Sequence, residues 1–239
     1  SSGSLTDGPL LLAAARHGLP MILSTGMGNL TDVAEALDLI AWAATNDGMP
    51  ADRTTFQGAR LTADGTACLQ KKITLLHCTT AYPTPVNEVN LKAMDTLAAV
   101  FGLPVGYSDH TLGISVALAA VARSATVIEK HFTLDRGLPG PDHKASLEPN
   151  ELKAMVAEIR AITTALGSAD KVPTPSETLN AQIARGSLVT LEAIAAGAPF
   201  TPLNLGVKRP GTGLSPMDFW NHLGRAASRA YDADEIVEL

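Results

Sequence analysis

Two short blocks hold the residues best placed to do chemistry, Gly106-Tyr107-Ser108-Asp109-His110-Thr111 and Glu129-Lys130-His131-Phe132-Thr133. Each puts a histidine just after a short apolar run bounded by polar residues, which is how the end of a β-strand reads. Residues 112–124 between them are apolar, alanine-rich and long enough for one helix, so the blocks read as consecutive strands of a parallel βαβ unit. Parallel strands carry both histidines to one rim, the rim where α/β barrels and open α/β sheets bind ligands. Two imidazoles from neighbouring strand ends could share one divalent ion. They could equally be hydrogen-bonded polar residues, and spacing alone leaves both readings open.

The elements that must position these residues repeat one grammar four times: an apolar run, a polar cluster, then a helix-like stretch. Met21-Ile22-Leu23 leads into Ser24-Thr25-Gly26-Met27, and Thr31 is expected to cap a helix over about 32–44 with Val33, Leu37 and Ile40 on one face. Residues 73–76 lead into His77-Cys78-Thr79-Thr80-Ala81-Tyr82-Pro83-Thr84-Pro85 and a helix-like segment over 91–101. Val105 leads into the first histidine block and Thr126-Val127-Ile128 into the second, and residues 149–166 have helical composition and period. This series implies a parallel sheet with helices on its faces. The Gly-, Thr- and Asp-rich stretch 45–72, longer than a usual connection, reads as a surface excursion, either a partly disordered insertion without function or a small hairpin. Closely spaced prolines in 171–176 read as a linker. Beyond it, apolar pieces at 187–191 and 205–207 separated by Gly and Pro turns suit a small β-rich domain.

With 239 residues and 46% hydrophobic content, the chain can bury one sizeable core with a small appended domain. A net charge of -6 without runs of one sign supplies no basic footprint for nucleic acid and no polybasic membrane anchor. A small anionic substrate stays compatible, because a pocket's field need not follow the global charge. Cys68 and Cys78 stand alone, which excludes a disulfide framework and fits a reducing compartment. The longest apolar run, over 114–122, is too short to span a bilayer, and the reading is a soluble cytoplasmic protein.

Taken in order, the motifs at 24–27, 77–85, 108–111 and 129–133, with Gly140-Pro141-Asp142-His143, resemble the sialic acid (N-acetylneuraminate) synthase family. Ser187-Leu188-Val189 and Lys208-Arg209-Pro210-Gly211-Thr212-Gly213 are similar to the antifreeze-like SAF domain that closes those synthases. The resemblance implies an α/β fold: a TIM (β/α)8-type barrel, with the last four βα units in this chain, followed by a small β-rich SAF domain. The implied division is a barrel portion over 1–170, a linker over 171–186 and the SAF domain over 187–239.

Enzymes of that family condense phosphoenolpyruvate with an N-acetylated hexosamine such as N-acetylmannosamine, giving a nine-carbon 2-keto sugar acid and phosphate. The resemblance makes His110, His131 and Asp142 the catalytic set, with His110 and His131 holding a divalent ion. Manganese is the expected ion, with magnesium or cobalt as substitutes, acting as a Lewis acid on the sugar aldehyde. Ser24 and Ser108 match phosphate-binding serines, while Thr80, Tyr82 and Asp142 match sugar-contacting positions. Arg209 matches an arginine that reaches the sugar's N-acetyl group from another subunit, which implies a domain-swapped homodimer.

The chain departs from the family pattern at its start. The βα units expected before Ser24, with an Asn-His-Asn-Gly segment, a glutamate and phosphate-neutralising lysines, are not in it, so it is expected to be the C-terminal portion of a longer product, or to receive the front half from another chain, and to be inactive by itself. Ser4 stands where the family often has an acidic residue, and Thr80 where asparagine or serine is common. Two other readings follow: a binding or assembly module that kept the architecture without the chemistry, and a different metal-dependent barrel enzyme such as an isomerase or aldolase, which would not account for the SAF-like tail.

Overall fold

The computed structural model describes residues 1–238, which divide into two compact units at Gly167/Ser168. In the first, helix α1 (Gly8–Arg16) precedes strand β1 (Met21–Ser24), followed by α2 (Leu30–Ala43), α3 (Ala63–Lys72), β2 (Ile73–Cys78), α4 (Ala93–Phe101), β3 (Val105–Asp109), α5 (Ser115–Ala122), β4 (Ile128–Lys130) and α6 (Pro149–Leu166). The strands form one curled parallel sheet in sequential order, β1-β2-β3-β4. Its register pairs Leu23 with Leu75, Leu75 with Val105 and Tyr107 with Ile128. The first three of these residues and Tyr107 turn toward the helices and join Val33, Leu37, Ile40, Met94 and Leu97 in the main core. Leu37 and Leu75 are wholly buried, and each such side chain contributes about 1.5–3 kcal/mol.

Because side chains alternate along a strand, the opposite, inner face receives Ser24, Leu76, Cys78, Gly106, Ser108 and Glu129. Gly106 is needed there for space: a Cβ would lie 2.4 Å from the Val127 carbonyl oxygen and 2.6 Å from a Leu76 methyl. The expected four-unit series of parallel βα elements is what the sheet shows.

Details differ from the sequence expectations. The α2 cap is Asn29, not Thr31: Asn29 Oδ1 accepts from the Thr31 and Asp32 amides, and Asp32 Oδ2 accepts from the Asn29 amide at 2.8 Å, a reciprocal box that starts the helix earlier. The 45–72 excursion holds no hairpin. It forms 3₁₀ turns at Arg53–Thr55 and Ala59–Leu61 and then α3, because its Asp52 and Thr62 act as helix caps. The Arg60–Asp38 ion pair (2.7 Å) ties this segment to α2. Residues 2–4 form a 3₁₀ turn.

The second unit begins at Ser168, just before the segment expected as a linker, and residues 171–186 carry helix α7 (Pro175–Ala184). Thr174 caps it reciprocally with Glu177, and Pro175 occupies the first turn, where a missing N–H costs nothing. The prolines start a helix instead of only separating elements. Strands β5 (Ser187–Thr190) and β6 (Leu205–Lys208) pair antiparallel over a core of Leu188, Ile194, Phe200, Leu205, Tyr231 and Val237, and α8 (Phe219–His222) completes the unit. No helix among the described residues is long and apolar enough to cross a membrane.

Candidate active site

The site forms where the inner face of the sheet meets the loops after β1 to β4. His110 follows β3 directly and is buried. Its Nδ1 lies 2.6 Å from the Thr79 carbonyl oxygen. A carbonyl only accepts, so Nδ1 carries a proton, and Nε2 is the ring nitrogen left for another partner. The backbone around the ring is held as firmly, since the Thr84 amide donates to the His110 carbonyl at 2.9 Å.

Thr84 anchors the loop that presents Tyr82: it is buried, and its hydroxyl donates to the Ala81 carbonyl at 2.9 Å. The far end of that loop is fastened by His77, whose Nε2 donates to the Val89 carbonyl at 2.7 Å. His77 therefore serves structure on the helix side, not the site. The Tyr82 ring lies 4.3 Å from that of His110 and 5.5 Å from that of His131, centroid to centroid, and the two imidazoles meet edge to face at 5.2 Å and 80°. Partial burial, then the electrostatic influence of Cys78, Asp142 and Glu129, push the Tyr82 phenol above its ordinary value, so it remains a hydrogen-bond donor at neutral pH.

His131 follows β4, and the chain returns to it after a long loop. The Leu147 amide donates to the His131 carbonyl and the Thr133 amide to the Leu147 carbonyl, both at 2.9 Å. The loop carries Asp142, whose Oδ2 stands 3.9 Å from His131 Nδ1, close enough for electrostatic contact but beyond a hydrogen bond. Within it, Ser146 Oγ donates to the Asp142 carbonyl at 2.7 Å, and Arg136 pairs with Glu151 on α6 while its Nε donates to the Ser146 carbonyl at 3.0 Å.

Ser108 is 2% exposed and donates its hydroxyl proton to Glu129 Oε1 at 2.6 Å. Glu129 did not emerge as a site residue from sequence, although the alternation was visible: Glu129 and His131 are two apart and so share the inner face. A second network escaped notice as well. Lys130 Nζ, 3% exposed, donates to the fully buried Asp109 at 2.9 Å and to the Thr111 carbonyl. Asp109 Oδ1 also accepts from the Thr111 amide and hydroxyl at 2.8 and 2.7 Å. Beside it, the buried Tyr107 hydroxyl has no partner among the described residues, and burial with the Asp109 charge holds that phenol far above its ordinary value.

The remaining expected residues are distributed as follows. Ser24 ends β1 and is buried on the inner face. Thr80 is exposed at the start of the Tyr82 loop and makes no hydrogen bond to the ring cluster among the described residues. Arg209 is exposed in the second unit, next to the turn that Ser187 Oγ holds by donating to the Pro210 carbonyl at 2.6 Å. The structure thus gathers His110, His131, Tyr82 and Asp142, with Ser108 adjoining through Glu129.

The pair of imidazoles fits a divalent ion in one specific respect. Metal-ligating histidines engage their second nitrogen with a carbonyl or carboxylate, as His110 does with Thr79. Among the described residues no group of three or more His, Cys, Asp or Glu side chains could hold a metal, so an ion on this pair would keep most positions for substrate oxygens and water.

A parallel half-barrel whose strand-end side chains converge on one rim has the architecture of the barrel enzymes. Residues 1–171 match the NeuB family, and the chain belongs to that family. It is 46% identical over 99% of its length to an N,N'-diacetyllegionaminic acid synthase of Campylobacter jejuni, and 42% identical over 95% to the enzyme of the same name from Legionella pneumophila. It spans 64% and 58% of the length of those relatives. A crystal structure of the N-acetylneuraminic acid (sialic acid) synthetase of Leptospira borgpetersenii in complex with citrate superposes with a TM-score of 0.59 at 34% identity, covering 75% of this chain and 54% of that one.

Proposed function

We propose that this chain is part of a sialic-acid-type synthase that condenses phosphoenolpyruvate with an N-acetylated hexosamine, releasing phosphate and a nine-carbon 2-keto sugar acid. The observation that carries the reading is the meeting of His110, His131 and Tyr82 beside Asp142 at one rim of a parallel sheet, in a chain whose relatives bear the names of such synthases. Identity of 46% and 42% to two diacetyllegionaminic acid synthases favours a diacetamido sugar as the hexosamine.

In this reading His110 and His131 hold a divalent ion, manganese first with magnesium or cobalt as alternatives, and the ion supplies Lewis acidity toward the sugar aldehyde. His110 presents Nε2 because Thr79 fixes Nδ1. Asp142 accepts from sugar hydroxyls and orients the aldehyde, which is where much of the rate gain of a two-substrate condensation arises. Tyr82, neutral at working pH, donates to the sugar, and Thr80 lines the same approach. Ser24 and Ser108 face the phosphate. Since Ser108 donates its hydroxyl to Glu129, Glu129 orients that hydroxyl. Residues 187–239 act as an SAF domain following a linker over 171–186, Arg209 contacts the N-acetyl group in a domain-swapped homodimer, and residues 1–170 are the last four units of the barrel.

The test is phosphate release by the full-length protein across a panel of hexosamines, with and without manganese. Release that requires both an N-acetylated sugar and the metal, and that His131→Ala abolishes in a folded protein, supports the reading. Full turnover by that variant refutes it.

A further inference from the structure

Each histidine of the site is preceded by one half of a buried ion pair: Asp109 before His110, and Lys130 before His131. Asp109 and Lys130 are register partners on the last rung of the β3–β4 ladder. Beyond it the strands leave the sheet, and no backbone ladder fixes the spacing of the residues that follow. Because side chains alternate, the pair points to the helix side while the imidazoles point inward, so neither charge can touch a substrate in the cleft.

We propose that Lys130 is a positioning residue which sets the separation of His110 and His131, acting through Asp109 and Thr111. The ammonium grips the chain on both sides of His110, at the Asp109 carboxylate 2.9 Å away and at the Thr111 carbonyl. Asp109 closes the bracket by accepting from the Thr111 amide and hydroxyl. The three residues 109–111 become one rigid turn with the imidazole at its centre, and the same ammonium belongs to the residue whose successor is His131. Thr79 then fixes the remaining rotation of the His110 ring. Stability alone does not account for the pair, because apolar residues of similar volume do as well or better in a buried position. What apolar residues could not supply is a directional bond from one strand end to both flanks of a residue on the next.

This inference rests on the two-histidine metal reading, and its test keeps the two apart. In the full-length protein, manganese affinity is measured by the free-ion electron paramagnetic resonance signal for the wild type, His131→Ala, Lys130→Met, and the double variant Asp109→Asn/Lys130→Met, which leaves no orphan carboxylate if the single variant does not fold. In the metal-free protein, the slowly exchanging ring N–H resonance that His110→Gln removes is followed in the same variants. The expected result is manganese binding weaker by about 10- to 100-fold in the folded Lys130 variants, with the His110 ring N–H signal lost or exchange-broadened. A folded double variant with wild-type manganese affinity and an unchanged ring N–H signal overturns the inference. If the wild type binds no manganese, or His131→Ala binds it normally, the metal reading falls. The ring N–H signal then decides positioning alone: loss upholds it and persistence overturns it.

Discussion

Replacing Gly106 by alanine should separate positioning of the site from its chemistry, because Gly106 touches neither histidine. A Cβ added there lies 2.4 Å from the Val127 carbonyl oxygen, 2.6 Å from Leu76 Cδ2 and 3.0 Å from Val127 Cβ. The Leu76 methyl belongs to a side chain that is itself fully buried and has little room to retreat. The Val127 oxygen is backbone, and it already accepts the Tyr107 amide at 2.9 Å. Relief to an ordinary carbon–oxygen contact therefore requires β3 and the approach to β4 to part by something near 1 Å, at the expense of that bond. Overpacking of this kind costs about 1–3 kcal/mol, and in a chain of this size each kcal/mol lowers the melting temperature by about 2–4 °C. Gly106 lies on the same strand face as Ser108, and His110 and His131 end the two strands being pushed apart, so a shift of order 1 Å at the reacting centre predicts a loss of about 100-fold in kcat. The assay is phosphate release by the full-length protein, with circular dichroism to record the melting temperature. Wild-type kcat in a variant whose melting temperature has fallen by several degrees would refute the claim that the β3–β4 spacing sets the geometry of the site. Wild-type values of both would refute the packing argument itself.

Arg209→Ala should raise the KM for the sugar by about tenfold or more, as expected for loss of a charge-assisted hydrogen bond, with little change for phosphoenolpyruvate; an unchanged sugar KM excludes the proposed arginine contact. Tyr107→Phe removes a buried hydroxyl that finds no partner among the described residues and should raise stability by about 1 kcal/mol, read as a higher melting temperature; a lower one would show that the hydroxyl is bonded. The Glu151 carboxyl sits below its ordinary value because it accepts from Arg136 and from the Glu148 amide, so its contribution is present above the unfolded value and disappears as pH falls through the lower folded one. Hydrogen exchange in 136–147 should accordingly rise on acidification through that window in the wild type, while Glu151→Gln shows the faster exchange already at neutral pH; equal protection in both proteins at neutral pH would remove Arg136–Glu151 as the anchor of the Asp142 loop.

The series of parallel strands, helix α6 and the two short strands of the second unit were legible from sequence because each rests on periodicity or composition over a whole element. The α2 start and the 45–72 segment were not, and for one physical reason: Asn, Asp, Thr and Gly serve turns and helix caps alike. Only the reciprocal bonds of Asn29 with Asp32, or of Thr62 with the Gly65 amide, show which use is made. Of the site, His110 and His131 were named from their blocks and Tyr82 and Asp142 from the family resemblance, and the structure brings them within a few ångströms of one another. Glu129 and Lys130 stood inside a quoted block and passed unremarked, since nothing local in Glu129-Lys130-His131 tells which charge turns inward.

That assignment follows from alternation once a single member is placed. The pairing of Asp109 with Lys130 puts both charges on the helix side, where they are 0% and 3% exposed. Their neighbours His110, Glu129 and His131 must then face the other way, and so must Ser108. The two halves of the polar block thereby receive different tasks from one register. A slip of one residue in β4 that set Glu129 opposite Tyr107 would bury that carboxylate on the helix side without a cation, and would turn Lys130 into the cleft opposite Ser108 in place of Glu129. Burying an unpaired carboxylate costs several kcal/mol, so the ion pair selects the register as well as joining the strands. The cleft can then carry an acid and two imidazoles on strands whose pairing is decided from the opposite face. Substitutions on the inner face, such as Glu129→Gln, should therefore alter chemistry while leaving the β3–β4 pairing intact, whereas Lys130→Glu, which buries two carboxylates together, should lose the pairing and the native fold with it.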